Sequence, residues 1–291
     1  MYDSILVPTD GSEGAEAAAR HGLNLATAFD SQIHFLSVVD ERSYSSALAD
    51  LDPTVGEQRE GFEQQATEAV ECLEEMVTEP PVTCQTAVKH GVPHEEIRSY
   101  AADHDIDLIS MGTQGRTGLD RLLLGSVTER VVRTSDVPVL TTRHEPDRSR
   151  YDRILIPTDG SEAATAAIAH GVAIADRFDS TVHALSVVDV GGVVGAYDAG
   201  PGIPELIDSL EEECEQAVTV VEEECENRDI DIVTEVVQGP PYRAIQEYVD
   251  REGIDFVSMG THGRTGLERY LIGSVTERTV RTSDVPVLTV R

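Results

Sequence analysis

Lysine is all but missing from this chain. Lys89 is its only copy, and 22 basic residues in all face 54 acidic ones, a formal net charge of −32. A surface of that sign repels nucleic-acid phosphates and anionic lipid heads, so neither is expected as a partner. Also missing is any uninterrupted apolar run of about 18 residues, the length that marks a membrane span. Met1-Tyr2-Asp3 leads straight into an apolar segment, without the basic region and apolar core of a secretory leader, so a cytoplasmic location is expected. Cys72, Cys84, Cys214 and Cys225 form no CxxC pair and read as free thiols of a reducing compartment. No GxxxxGK[ST], HExxH or Ser/His/Asp elbow occurs, which removes the common signatures of phosphate-transferring, zinc-dependent and serine hydrolase chemistry.

What the chain has is acid spread over segments of clear apolar periodicity. That pattern belongs to a folded, highly charged surface rather than to a disordered tail. Many acids with almost no lysine resemble proteins of salt-loving microbes such as halophilic archaea. Molar salt shortens the Debye length to ~3 Å and screens such self-repulsion.

The chain also has a repeat. The stretch from Ser110 to Arg143 returns from Ser258 to Arg291, with six of 34 positions changed. Its glycines fall as G-x-x-G, nine residues, then G-S: Gly112, Gly115, Gly125-Ser126, and Gly260, Gly263, Gly273-Ser274. Tyr151-Asp152-Arg153-Ile154-Leu155-Ile156-Pro157-Thr158-Asp159-Gly160-Ser161 likewise restates the start of the chain. A repeat this long is a duplicated domain. The expected division is residues 1–143 and 151–291, joined by a polar linker at 144–150.

Read in order, Ser4 to Val7 is a buried strand, and Pro8-Thr9-Asp10-Gly11-Ser12 turns out of it, with Ser12 as N-cap of a small-residue helix to about Phe29. Gln32 to Val39 is a second strand, 40–56 a polar loop. An acidic helix follows from about Glu57 to Val77, its buried face expected at Phe62, Ala66, Ala69, Val70, Leu73 and Val77. Pro81 to Val88 is a third strand, Pro93 starts a helix, Ile106 to Met111 is a fourth strand, Ser126 to Thr134 a helix, and Val137 to Thr141 a fifth strand. Short apolar strands alternating with amphipathic helices predict an α/β fold: two tandem five-stranded parallel sheets, Rossmann-like, in the order 3-2-1-4-5, with helices on both faces. In such sheets a ligand sits where strand order reverses, here between the first and fourth strands. The loops that converge there are Pro8–Ser12 and the glycine-marked segment. Glycine permits close backbone approach, and a helix N-terminus favours anions, so together they read as a phosphate cradle. Ser126 and Glu129, like Ser274 and Glu277, also fit a capping box.

A strand ending P-T-D-G-S, a later strand ending M-G-T, and G-x-x-G-x9-G-S-V-T-E resemble the universal stress protein family, and within it the ATP-binding branch, here as a tandem two-domain member. The resemblance covers nearly the whole chain, twice. It implies an adenine nucleotide in each half: ATP, or ADP, AMP or a cyclic nucleotide, with Mg²⁺ or Mn²⁺ bridging phosphates and no assigned protein ligand for the metal. Pro8, Thr9 and Asp10 would border the adenosine. Val38 would meet adenine through its backbone, and Met111 and Gly112 would line the ribose side. Gly115, Arg116, Gly125, Ser126, Val127 and Thr128 would hold the phosphates. In the second copy these become Pro157, Thr158, Asp159, Val187, Met259, Gly260, Gly263, Arg264, Gly273, Ser274, Val275 and Thr276. The implied function is a binding or regulatory module of the stress response with no catalytic residue. A nucleotide-hydrolysing or phosphate-transferring enzyme and a scaffold with vestigial pockets remain the alternatives.

His21/His170 and His34/His183 recur between copies and read as core or boundary histidines, while Gly91 and Pro93 keep His90 and His94 off a shared helical face. Val137-Pro138-Val139-Leu140 and Val285-Pro286-Val287-Leu288 are apolar edge strands. Since exposed edges are usually covered, they are expected to pair within one chain as a pseudo-dimer, with further homodimerisation open. The charge balance itself makes a prediction: unfolding midpoints rise steeply between low salt and molar KCl as self-repulsion is screened. Denaturant melts at several KCl concentrations check it, and a flat response would show the acids already compensated.

Overall fold

The structure is a computed structural model that describes residues 1–43, 53–78, 82–115, 124–143, 150–191, 203–263 and 272–291. It divides into two compact units, Met1–Ser149 and Arg150–Arg291. Apart from Arg150, the expected linker lies outside the described residues.

The first unit runs β1 (Ser4–Thr9), α1 (Glu13–Phe29), β2 (Gln32–Asp40), a 3-10 turn at Glu41–Ser43, α2 (Pro53–Glu74), β3 (Cys84–Gly91), α3 (Pro93–Asp103), β4 (Leu108–Gly112), α4 (Ser126–Thr134) and β5 (Val139–Thr142). Its strands are parallel and ordered β3-β2-β1-β4-β5. The second unit repeats the plan with β6 (Arg153–Pro157), α5 (Glu162–Phe178), β7 (Thr181–Val188), α6 (Ile203–Glu226), β8 (Ile232–Gln238), α7 (Pro241–Glu252), β9 (Phe256–Gly260), α8 (Ser274–Thr282) and β10 (Val287–Val290). Its order is β8-β7-β6-β9-β10, again parallel. The expected order 3-2-1-4-5 therefore holds within each unit.

Central strands are buried on both faces, which is why they read as unbroken apolar runs. Ile5, Leu6 and Val7 are fully buried, as are Ile154, Leu155 and Ile156. Each such side chain contributes roughly 1.5–3 kcal/mol of burial. Helix α1 approaches them through alanines, and a Cβ added to Gly22 would come within 2.9 Å of the Val7 side chain. Ser12 caps α1 as expected, its hydroxyl accepting from the Ala15 amide at 3.3 Å.

Several expected bounds need correction: β1 runs on to Thr9, β4 spans Leu108–Gly112 rather than Ile106–Met111, and β5 spans Val139–Thr142 rather than Val137–Thr141. Strand β3 begins at Cys84 rather than Pro81 and runs to Gly91, because its register is set by pairing with β2, from Ile33↔Cys84 to Asp40↔Gly91. Helix α2 begins at Pro53, before the expected Glu57, and proline suits a first helical position. Its buried face is Ala66, Ala69, Val70 and Leu73, while Phe62 is 37% exposed and Val77 lies beyond the helix.

His34 on β2 is buried, with Nδ1 3.1 Å from the Tyr100 hydroxyl on α3, and His183 meets Tyr248 in the same way at 3.0 Å. Among the described residues His34 is satisfied on one side only, since its buried Nε2 finds no partner there. Burial first, and then the nearby His104, hold His34 below its ordinary value, and burial does the same for His183. A lowered folded-state value means that the unfolded chain binds protons more readily. Stability is therefore full above the ordinary histidine range and is lost as pH falls through the lowered value. Urea midpoints in molar KCl are expected to drop between about pH 7.5 and 5, and the drop to shrink in the chain carrying His34→Asn and His183→Asn.

Candidate functional site

The site starts where β1 ends. Thr9 Oγ1 accepts from the Gly11 amide at 3.1 Å, and Asp10 Oδ1 accepts from the Ser12 amide at 3.1 Å. These bonds curl the chain into a turn that needs a left-handed residue, and Gly11 supplies it at φ +77°. Ser37 on β2 ties the turn down by donating to the Thr9 carbonyl at 3.0 Å.

The second wall comes from the segment after β4. Thr113 donates its amide to the Thr142 carbonyl at 2.8 Å and accepts from the Gly125 amide at 2.8 Å. Thr128 on α4 donates to the Gly112 carbonyl at 2.8 Å. The two ends of the glycine-marked loop are thus clamped together, whatever path 116–123 takes. The start of α4 corrects the capping-box reading. The N-cap is Gly125, whose carbonyl accepts from the Glu129 amide at 2.9 Å, and among the described residues no side chain caps the helix. Ser126 is therefore the first helical residue, and Glu129 bonds to Arg133 at 2.8 Å instead of reaching back. Helix α8 begins in the same way at Gly273, with Glu277 tied to Arg281. Among the described residues, neither helix has a side chain capping its first-turn N–H groups, which stand at its positive dipole end.

The two walls meet at Asp10. A Cβ on Gly115 would lie 2.5 Å from Asp10 Oδ2, and one on Gly263 would collide with Asp159 Oδ2. Gly112 has a different reason to be glycine. A Cβ there would strike the Gly14 backbone at 2.6 Å, so it lets α1 pack on β4. In the second unit Gly260 faces the Ala163 and Ala164 backbone likewise.

Between the walls of the first unit lies a cleft of about 290 Å³, near the lower end of small-molecule sites at roughly 300 Å³. Pro8, Thr9, Asp10, Val38, Met111, Gly112, Gly115, Gly125, Ser126, Val127 and Thr128 all line it. Arg116 and its counterpart Arg264 lie outside the described residues. Sequence reasoning missed Ser12, Ala15, Leu36, Pro93, Ile97 and Gln114, which also line it. Leu36 was within reach, since it stands two residues before Val38 and shares its face of β2. Pro93 and Ile97, four apart on α3, form another same-face pair. The cleft is apolar at Leu36, Val38, Pro93 and Ile97 and rich in backbone donors at the start of α4. That division fits a flat apolar ring joined to an anion.

The second unit repeats the frame. Gly160 donates to Thr158 Oγ1 at 3.2 Å, Ser161 to Asp159 Oδ1 at 3.0 Å, and Ser186 to the Thr158 carbonyl at 2.8 Å. Gly273 donates to Thr261 at 2.7 Å, and Thr276 Oγ1 to Gly260 at 2.8 Å. Pro157 closes β6, Val187 lies near the end of β7, Met259 is buried in β9, and Ser274, Val275 and Thr276 form the first turn of α8. Among the described residues no group of three or more His, Cys, Asp or Glu could hold a metal ion. No described helix is long and apolar enough to cross a membrane. All four cysteines are free thiols.

Each unit is a doubly wound α/β domain with a pair of loops meeting at the reversal of strand order, lining a cleft in the first unit, the general plan of Rossmann-like domains. The model of the universal stress protein family matches residues 1–143 and again 150–291, and the chain belongs to that family. The universal stress protein MJ0531 of Methanocaldococcus jannaschii is 42% identical over 142 residues, covering 48% of this chain and 82% of that relative. A universal stress protein of Mycolicibacterium smegmatis is 27% identical over 302 residues, 99% of this chain and 96% of its own. The crystal structure of a universal stress protein from Archaeoglobus fulgidus shares the fold, with a TM-score of 0.71, 24% identity, and coverage of 100% of this chain and 99% of that one.

The Thr128 clamp can be tested by itself. Thr128→Val keeps the shape and leaves the Gly112 carbonyl without its donor, so it should destabilise the protein by about 1–3 kcal/mol, with a larger loss than Thr134→Val on the exposed side of α4. Urea denaturation of both variants checks it.

Proposed function

We propose that each unit binds one adenine nucleotide, ATP or else ADP, AMP or a cyclic nucleotide, and that the protein acts as a nucleotide-binding regulatory module of the stress response. The observation that carries this reading is the first unit's cleft. There the apolar residues Leu36, Val38 and Ile97 line the same cleft as a helix N-terminus that no side chain caps among the described residues. The apolar lining suits a base, and the helix end suits phosphate. Binding in the ATP-binding manner of the family is the finer claim, and it rests on the residues named for both units.

Binding rather than turnover is favoured by the same lining. Asp10 is the one carboxylate among the described lining residues, and they include no histidine or lysine. Its Oδ1 already accepts from Ser12, and its Oδ2 abuts Gly115. A carboxylate so engaged is a positioning group rather than a base poised to activate water. A divalent cation would be held mainly by phosphate oxygens and water, as Mg²⁺ commonly is.

Calorimetry with ATP in molar KCl should give a stoichiometry near two per chain. Gly115→Val should remove binding in the first unit by driving a side chain into Asp10, and Gly263→Val should remove it in the second through Asp159. Far-UV circular dichroism should stay unchanged in both. A folded wild-type chain that binds none of ATP, ADP and AMP would contradict the reading.

A further inference from the structure

Of the six differences between the two glycine-marked segments, only Gln114/His262 exchanges a neutral side chain for one whose type titrates near neutral pH. Gln114 lines the first unit's cleft, directly before Gly115. His262 occupies the same loop position in the second unit, inside the same backbone frame. Thr261 ahead of it donates to the Val290 carbonyl and accepts from the Gly273 amide, each at 2.7 Å.

The His262 ring is anchored on one side. Its Nδ1 lies 2.8 Å from Oγ1 of buried Thr261, and the Ser161 hydroxyl donates to the His262 carbonyl at 3.5 Å. With Nδ1 engaged, Nε2 is the nitrogen left to meet a ligand. Among the described residues, the surrounding elements bring a few charges near it; Arg264, Glu268 and Arg269 of the same loop lie outside them. The turn after β6 brings Asp159, set against Gly263, and α5 begins with Glu162. On α8, Glu277 is tied to Arg281 at 2.6 Å, and Arg278 lies over the Tyr242 ring, 5.0 Å from its centre. Among the described residues, His262 is the group of this loop that can become a cation.

We propose that His262 makes phosphate binding in the second unit proton-linked, the imidazolium form holding an anionic ligand more tightly, while Gln114 leaves the first unit indifferent to pH. This rests on the nucleotide-binding reading of both units and adds to it an inequality between them. A charge-assisted hydrogen bond from Nε2 to a phosphate oxygen is about twice as strong as the neutral bond an amide makes. Two sites built on one frame would then fill in a pH-dependent ratio.

The test is ATP titration of full chains in molar KCl between about pH 8 and 5.5. Gly115→Val isolates the second unit and Gly263→Val the first. Because phosphate itself titrates with a second pKa of about 6, each profile is compared with that of His262→Gln under the same conditions. On acidification the second unit should gain about tenfold in affinity over His262→Gln, and Gln114→His should confer the same gain on the first unit. If His262→Gln leaves the second unit's pH profile unchanged while ATP still binds there, the proposal is overturned. If neither unit of the folded wild-type chain binds ATP at any pH, the nucleotide reading falls, and this inference with it.

Discussion

A proline opens the cleft. Along β1 successive backbone groups point to opposite sides: the Ser4 carbonyl accepts from Asp107 at the start of β4, and the Asp3 carbonyl from Gln32 at the start of β2. By that alternation the next donors due on the β4 side are Leu6 and then position 8. Position 8 is proline and has no N–H. The ladder to β4 stops at Leu6↔Ile109, while pairing with β2 continues to Thr9↔Ser37. The second unit does the same. Pro157 closes β6, the β6–β9 ladder ends at Leu155↔Val257, and the Thr158 amide turns to the Leu185 carbonyl of β7. Beyond that point the two strands are free to part, and the chain leaves each for a different helix. Right-handed crossovers in the observed order send the loop after β1 to one face and the loop after β4 to the other. The opening is thus set by covalent chemistry at one residue and by topology around it.

Everything in the site then serves to hold two diverging loops at a fixed spacing. Thr128 and Thr113 clamp the glycine-marked loop at its base, and Asp10 braces the other loop against Gly115. The glycines divide their work. Gly11 and Gly160 supply a left-handed turn, Gly112 lets a helix lie against a strand, and Gly115 leaves space for the aspartate. Close approach of a ligand is therefore one use among several, and a glycine pattern alone does not separate them. The start of α4 is the feature that most directly favours an anion, because among the described residues no side chain caps it.

Much of this was legible in the sequence because the repeat and the apolar periods agree with each other. Strand order, Ser12 as a cap and the eleven described lining residues named for the first cleft came from those signals and from family resemblance. The misses have physical causes. Strand β3 is a half-exposed edge, so its apolar pattern does not fix its ends, and only pairing with β2 does. The G-S pair before α4 allows either residue to cap, and the choice falls to Gly125 because Thr113 holds its amide. Leu36, Pro93 and Ile97 carry no motif. Leu36 could have been reached from Val38 two residues on, but Pro93 and Ile97 belong to the cleft because α3 packs beside it, a tertiary fact that local sequence does not encode.

The central claim is that the loops after β1 and β4, with the first turn of α4, form one ligand site in the first unit and that the second unit repeats it. Backbone amide chemical shifts of the labelled protein, followed during ATP titration, test it most directly. The account predicts saturable shifts concentrated at Thr9 to Ser12, Gly112 to Gly115 and Gly125 to Thr128, and at Thr158 to Ser161, Gly260 to Gly263 and Gly273 to Thr276. Saturable shifts centred elsewhere, such as along α2 or the outer face of β3, would contradict it.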